Sequence, residues 1–358
     1  SGIMTIAELA RPELRALRPY EAAQQVDDTI RLNANEAPWS NSADRFRRPL
    51  NRYPEIRPGR LAQALGAYFA CDPERLLVTR GTSEAIDLLI RAFCREGKDN
   101  IVTTSPTFSM YGHYATVQGA AQRAVATLPE NDFAIDVDAL LAACDEETRL
   151  IFVCSPNNPT GTLIPRADLL DLLERRGERS AIVVDEAYIE FAGEPSAVEL
   201  LDRYPNLVVL RTLSKALAFA GARCGAVMGP VDVIRILNAI QAPYAMSTPV
   251  VECVEDALQT AALDEAGGRI AEVVAERERL MGAMSSFGFV NAVWPSAANF
   301  FLVRVADSEA VLQDARKVGI LLRDFGSSLP GCIRITVGSR SENDRLLAVL
   351  ADIAGGEA

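Results

Sequence analysis

Of the 36 lysine and arginine residues in this chain, only Lys98, Lys215 and Lys317 are lysine. Arginine does nearly all the ordinary cationic work. Lys215 sits in Arg211-Thr212-Leu213-Ser214-Lys215-Ala216-Leu217, among small and apolar neighbours, and points to a task that arginine cannot perform. Arginine stays protonated, whereas lysine can lose its proton and form a Schiff base with an aldehyde. Ser214 and Arg223 nearby suit a phosphate. An aldehyde that carries a phosphate and is held through lysine describes pyridoxal 5'-phosphate. The plainer reading is a solvated surface lysine.

Other residues extend the same chemistry. Asp185 ends the apolar run Ile182-Val183-Val184, where a carboxylate can pair with a pyridinium nitrogen or simply cap a loop. Tyr188 follows one helical step later and can donate its hydroxyl to the cofactor's phenolic oxygen. Gly81-Thr82-Ser83 opens a helical stretch whose free N–H groups can bind phosphate, although ordinary capping explains the run equally well. Phe108 can stack on a pyridine ring or fill a core. In Asn157-Asn158-Pro159-Thr160-Gly161, the Asn157 amide is a candidate donor to the phenolic oxygen, and the run also reads as a polar turn. Arg323 and Arg334 lie in a later region, each suited to a carboxylate or phosphate or to an ion pair with Asp324.

These residues need a scaffold that brings them together. Helix-period stretches at 61–70, 84–95, 110–118, 137–143 and 166–176 lie between short apolar runs. The runs start at Leu76, Asn100, Leu150, Ala181, Leu207 and Ala226. This alternation implies an α/β fold, a mostly parallel central sheet with helices on both faces. Polar clusters follow five of the strands, and ligands in such sheets sit at the carboxyl ends of strands. After about 250, a long helical region at 251–286 leads to strand-like runs at 299–303, 320–322 and 333–337 with a helix near 308–318, a smaller α+β domain. The expected division is an N-terminal arm (1–28), a small domain (29–47 with 251–358) and a large domain (48–250).

Composition bounds the function. A net charge of −12 argues against a general nucleic-acid or anionic-membrane surface. Seven scattered cysteines without a Cys-x-x-Cys pair fit reduced thiols in a cytoplasm. His113 is the one histidine, so neither a histidine metal cage nor a Ser-His-Asp triad is expected, and it reads as structural. Ser1-Gly2-Ile3-Met4 opens no positive region followed by an apolar core, so no secretory leader is expected, and the uncharged run 236–251 is too short and interrupted to span a bilayer.

Taken together, the runs Leu32–Glu36, Arg52–Glu55, Cys154–Gly161, Val184–Phe191, Arg211–Gly225 and Cys332–Gly338 resemble the histidinol-phosphate aminotransferase family, fold-type-I enzymes dependent on pyridoxal phosphate. The resemblance covers almost the whole chain. It implies amine exchange between L-histidinol phosphate and 2-oxoglutarate in histidine biosynthesis, with alternating half-reactions through Lys215. It implies Thr82, Ser83, Phe108, Asn157, Asp185, Tyr188, Ser214, Lys215 and Arg223 at the cofactor, and a homodimer in which Tyr53 reaches the partner's cofactor phosphate. Tyr20, Asn157, Arg323 and Arg334 would contact substrate. Phe108 replaces the tyrosine of many members, Thr82-Ser83 replaces a pair ending in Asp, and Pro38-Trp39-Ser40 departs from the commoner loop. An aromatic or broad-specificity aminotransferase, a decarboxylase of a phosphorylated amino acid and a regulatory pyridoxal-phosphate binder are the alternatives.

Overall fold

The structure, a computed structural model, describes residues 5–356; Ser1 to Met4, on which the leader reading rests, and the last two residues lie outside the described residues. A 3-10 turn at Ile6–Leu9 leads into a short helix α1 (Pro12–Arg15), and the chain then runs without regular elements to α2 (Gly59–Phe69). The first sheet holds β1 (Leu76–Thr79), β2 (Asn100–Ser105), β3 (Ala121–Ala126), β4 (Thr148–Cys154), β5 (Ala181–Asp185), β6 (Leu207–Thr212) and β7 (Gly225–Met228). Between them lie α3 (Gly81–Phe93), α4 (Met110–Gln118), α5 (Val137–Ala142) and α6 (Arg166–Arg176). The strand order is β1-β7-β6-β5-β4-β2-β3. All neighbouring pairs from β6 to β3 are parallel, and β7 alone runs against its neighbours. The sheet is mostly parallel.

Both faces of this sheet are buried, which is why its strands read as continuous apolar runs. Ile182, Val184, Leu207 and Val209 face α2, α5 and α6 on one side. Val183, Val208, Leu210 and Leu77 face α3, α4 and the next helix, α7 (Val231–Ile240), on the other. The strand β3 is absent from the sequence reading. Its Ala-Gln-Arg-Ala-Val-Ala lies at the sheet edge, mostly exposed, and carries no apolar run.

The single helical region expected at 251–286 is two helices, α8 (Thr248–Ala257) and α9 (Thr260–Met284), broken at Leu258-Gln259. Val251 and Val254 of α8 pack in the core of the large sheet. A second, antiparallel sheet comprises β8 (Val290–Val293), β9 (Phe300–Val305), β10 (Arg323–Asp324) and β11 (Cys332–Thr336) in the order β10-β11-β9-β8. Helices α9, α10 (Ser308–Lys317) and α11 (Arg340–Gly356) cover it. The strand expected at Ile320–Leu322 is not formed; pairing begins only at Arg323, and Leu321 is exposed.

Candidate active site

The five polar clusters at the strand ends meet in one cavity of about 130 Å³. Each supplies part of its wall: Thr82 and Ser83 after β1, Phe108 after β2, Asn158 after β4, Asp185 and Tyr188 at β5, and Ser214 and Lys215 after β6. Arg223, from the turn before β7, closes one side. The parallel strands end in register, so residues more than a hundred positions apart become neighbours.

Asp185 is the most buried charge in the cavity, at 2% exposure. Its alternation along β5 turns it to the face carrying α4. There the hydroxyl of Tyr111 donates to Oδ2 at 2.6 Å, and the Ala187 backbone N–H donates to Oδ1 at 3.2 Å. Burial pushes the Asp185 carboxyl up, and these two hydrogen bonds oppose the push.

Lys215 opens onto the cavity, its Nζ 5.8 Å from the centre of the Tyr188 ring. Its amine is pushed down first by partial burial, then by the positive charges of Arg334 and Arg223. That enriches the neutral, nucleophilic amine. Tyr188 is buried edge-on against Phe300 at 4.9 Å, and burial raises its phenol, which keeps the proton in place for donation.

An anion cradle forms where α3 begins. The residue before it, Arg80, provides no side-chain cap, so the first amides of α3 are left for a ligand. Gly81 has φ +71°, and a Cβ there would lie 2.7 Å from a guanidinium nitrogen of Arg223. The missing side chain is what lets the cation sit against the helix end. Arg223 donates to the Ala220 carbonyl at 3.1 Å and to Ser214 Oγ at 3.4 Å, and Ser214 Oγ also accepts from the Thr212 hydroxyl at 3.0 Å. A cation, two hydroxyls and free amides converge there.

Arg334, from β11 of the second sheet, completes the site. It donates to Asn158 Oδ1 at 2.5 Å, and its guanidinium lies 5.4 Å from the ring centres of both Phe300 and Phe325. Its Nε is buried without a hydrogen-bond partner. The ion pair with Asp324 does not form; Asp324 accepts instead from the Gly326 backbone N–H at 2.7 Å. Arg323 stands directly opposite Arg334 in the β10–β11 ladder. Partial burial pushes the Arg334 guanidinium down and the like charge of Arg323 adds to it, so an anion between them relieves that cost.

One expected ligand is placed elsewhere. Asn157 does not line the cavity: its Nδ2 donates to the Pro106 carbonyl and to Thr160 Oγ1, both at 2.9 Å, and its Oδ1 accepts from Thr107 at 2.7 Å. Its amide is spent holding the turn, and the next residue, Asn158, faces inward. The same turn presses on the second sheet, where a Cβ at Gly161 would lie 2.8 Å from the Ser296 Cα. Tyr20 and Tyr53 also stay outside the cavity. Both are exposed, and Tyr53 stacks on Tyr244 at 4.6 Å. Tyr111 and Asn158 escaped the sequence reading. Tyr111 follows Phe108 by three residues, one helical step, which was the available signal. His113 is exposed on α4 beside Tyr114, consistent with a structural residue.

The family model for class I and II aminotransferases matches residues 22–350. A histidinol-phosphate aminotransferase from Xylella fastidiosa is 44% identical over 98% of this chain and 97% of the relative. The chain belongs to the histidinol-phosphate aminotransferase family. The solved histidinol-phosphate aminotransferase from Sinorhizobium meliloti, in complex with pyridoxal 5'-phosphate, matches this aminotransferase with a TM-score of 0.77 at 25% identity, over 86% of this chain and 84% of that one. The enzyme from Clostridium acetobutylicum matches with a TM-score of 0.78 at 23% identity, over 86% and 92%, and shares the fold. The cofactor of this aminotransferase is pyridoxal 5'-phosphate, and its cavity fits that group. The glycine-floored cradle takes the phosphate, and a buried carboxylate faced by no protein cation awaits a positive ring nitrogen. Among the described residues there is no cluster of three or more metal-ligating side chains and no helix long and apolar enough to cross a membrane.

Proposed function

We propose that this aminotransferase exchanges the amine of L-histidinol phosphate for the oxo group of 2-oxoglutarate, giving imidazole acetol phosphate and L-glutamate. The observation that carries the substrate reading is Arg334, a half-buried guanidinium whose Nε is enclosed without a partner, opposite Arg323 in the ladder. Arg334, whose charge acts on Lys215, and the exposed Arg323 opposite it suit the phosphate of one substrate and the carboxylates of the other. The relatives that match nearly the whole chain carry the same activity in their names.

Pyridoxal phosphate, when bound, supplies an aldehyde that captures the substrate amine and a ring that withdraws electrons. The residues do the rest. Lys215 Nζ takes the proton from the amine-bearing carbon in one half-reaction and returns one to the corresponding carbon in the other. Asp185 stabilises positive charge at the ring nitrogen, Tyr188 donates to the phenolic oxygen, and Asn158 joins it while holding Arg334. The α3 amides, Ser214 and Arg223 hold the phosphate, and Phe108 stacks on the ring.

A homodimer is part of this reading. Among the described residues, nine of the fourteen large hydrophobic side chains that stand exposed lie between Leu17 and Tyr53, Ile30 and Leu32 almost entirely so. A second copy that covers this segment would bury them and bring Tyr53 to its cofactor phosphate. The two sheets support a division into an arm (1–28), a large domain (48–250) and a small domain (29–47 with 251–358), except that Ile6, Ala7 and Ala10 of the arm and Val251 and Val254 of α8 pack with the large sheet. Seven unpaired cysteines support a reducing cytoplasm. Mixing the protein with histidinol phosphate should bleach the visible band of the lysine-bound cofactor, and 2-oxoglutarate should restore it. Lys215→Ala should lose at least about 10³-fold in turnover, since one side chain both anchors and moves the proton. A Lys215→Ala protein that still bleached and turned over would overturn the assignment.

A further inference from the structure

Tyr111 has no part in the chemistry above, yet it makes the shortest polar contact to Asp185. Its hydroxyl donates to Oδ2 at 2.6 Å, while Oδ1 has only the longer bond from the Ala187 N–H. The ring is fully buried and held from two sides: it stacks on Phe152 at 4.6 Å and 17°, and meets Phe108 edge-on at 5.7 Å and 87°. The ring is thereby fixed with its hydroxyl between the Asp185 carboxyl and the Cys154 thiol, and the carboxyl is the stronger acceptor. The protein groups facing the carboxyl are this phenol from α4, the Cys154 thiol from β4 and Tyr188 from the following turn, none of them a cation. Burial keeps the Cys154 thiol and both phenols neutral.

We propose that Tyr111 is a positioning residue for the cofactor: its O–H holds Asp185 as the anion and fixes which carboxylate oxygen turns to the ring nitrogen. A carboxylate buried this deeply favours its neutral form unless donors compensate. The Ala187 amide is too long to do so alone. Without Tyr111, Asp185 would take up a proton or rotate, and the positive ring nitrogen would lose its partner. Because Phe108 touches both the cavity and Tyr111, the same ring also couples the stacking surface to the charge.

This inference rests on reading the cavity as the pyridoxal phosphate site. Its test is equilibrium binding of pyridoxal phosphate to the cofactor-stripped protein, followed by the absorbance of the bound group. Tyr111→Phe keeps the Phe152 stack and loses only the hydroxyl, and thermal unfolding of the stripped variant verifies that it folds. Affinity should fall roughly 10- to 100-fold, the scale of one hydrogen bond to a charged group. In an Asp185→Asn background the same substitution should add less than about threefold, because no anion is left to hold. Unchanged affinity in Tyr111→Phe, or losses that multiply in the Asp185→Asn background, would overturn the positioning role alone. Failure of the unaltered protein to bind pyridoxal phosphate would overturn the reading of the cavity, and this inference with it.

Discussion

At the scale of single residues, the site rests on charges that lack protein partners. Asp185 is a buried carboxyl with no cation against it, and Arg334 is a guanidinium with no carboxylate partner among the described residues. Each group costs stability unless a ligand completes it, so the cofactor and substrate supply what the fold omits. Arg334→Ala should raise KM for both the amino donor and the oxo acid, by about 10- to 100-fold, because the same guanidinium serves both half-reactions. Separate single-turnover measurements of the two halves check this; an effect on neither would make the arginine structural. The sequence made Lys215, Asp185 and Arg334 legible because their types are unusual for their surroundings. It did not separate Asn157 from Asn158, since adjacent identical residues differ only in how the turn aims them. Apart from its spacing from Phe108, nothing in the sequence marks Tyr111 out, and only packing turns its hydroxyl toward Asp185.

At the scale of elements, strand ends do the assembling. The phosphate cradle depends on α3 starting immediately after β1 without a side-chain cap, and on Gly81 leaving room for Arg223. Gly81→Ala should cost about 1 kcal/mol in backbone strain at φ +71° and displace the guanidinium. Pyridoxal phosphate affinity should drop about tenfold or more, with little change in Arg334-dependent substrate discrimination. Fluorescence titration of the cofactor checks it, and an unaltered affinity would remove Arg223 from the cradle. Buried strands were readable because both faces are covered, leaving unbroken apolar runs. The exposed edge strand β3 was not, because an edge needs no apolar pattern. The Ile320–Leu322 run misled for the opposite reason: β propensity without a pairing partner makes no strand.

At the scale of the whole molecule, the cofactor seat and the substrate seat belong to different sheets. Lys215, Asp185 and the cradle come from the large sheet, Arg323 and Arg334 from the small one. Helix α9 ties them together: Arg277 donates to the carbonyls of Phe191 and Ala298, both at 3.0 Å, and Ile270, Val273 and Val274 pack against Tyr188 and Phe300. Cofactor chemistry is thus set by one half and substrate choice by the joint. On this reading the joint selects a phosphorylated amino donor. That selection is tested most directly by the ratio of kcat/KM for histidinol phosphate to that for phenylalanine. The arginine pair predicts a ratio of at least about 100, because phenylalanine brings one carboxylate and no phosphate, which leaves one of the two guanidiniums unsatisfied. A ratio near or below one would contradict it.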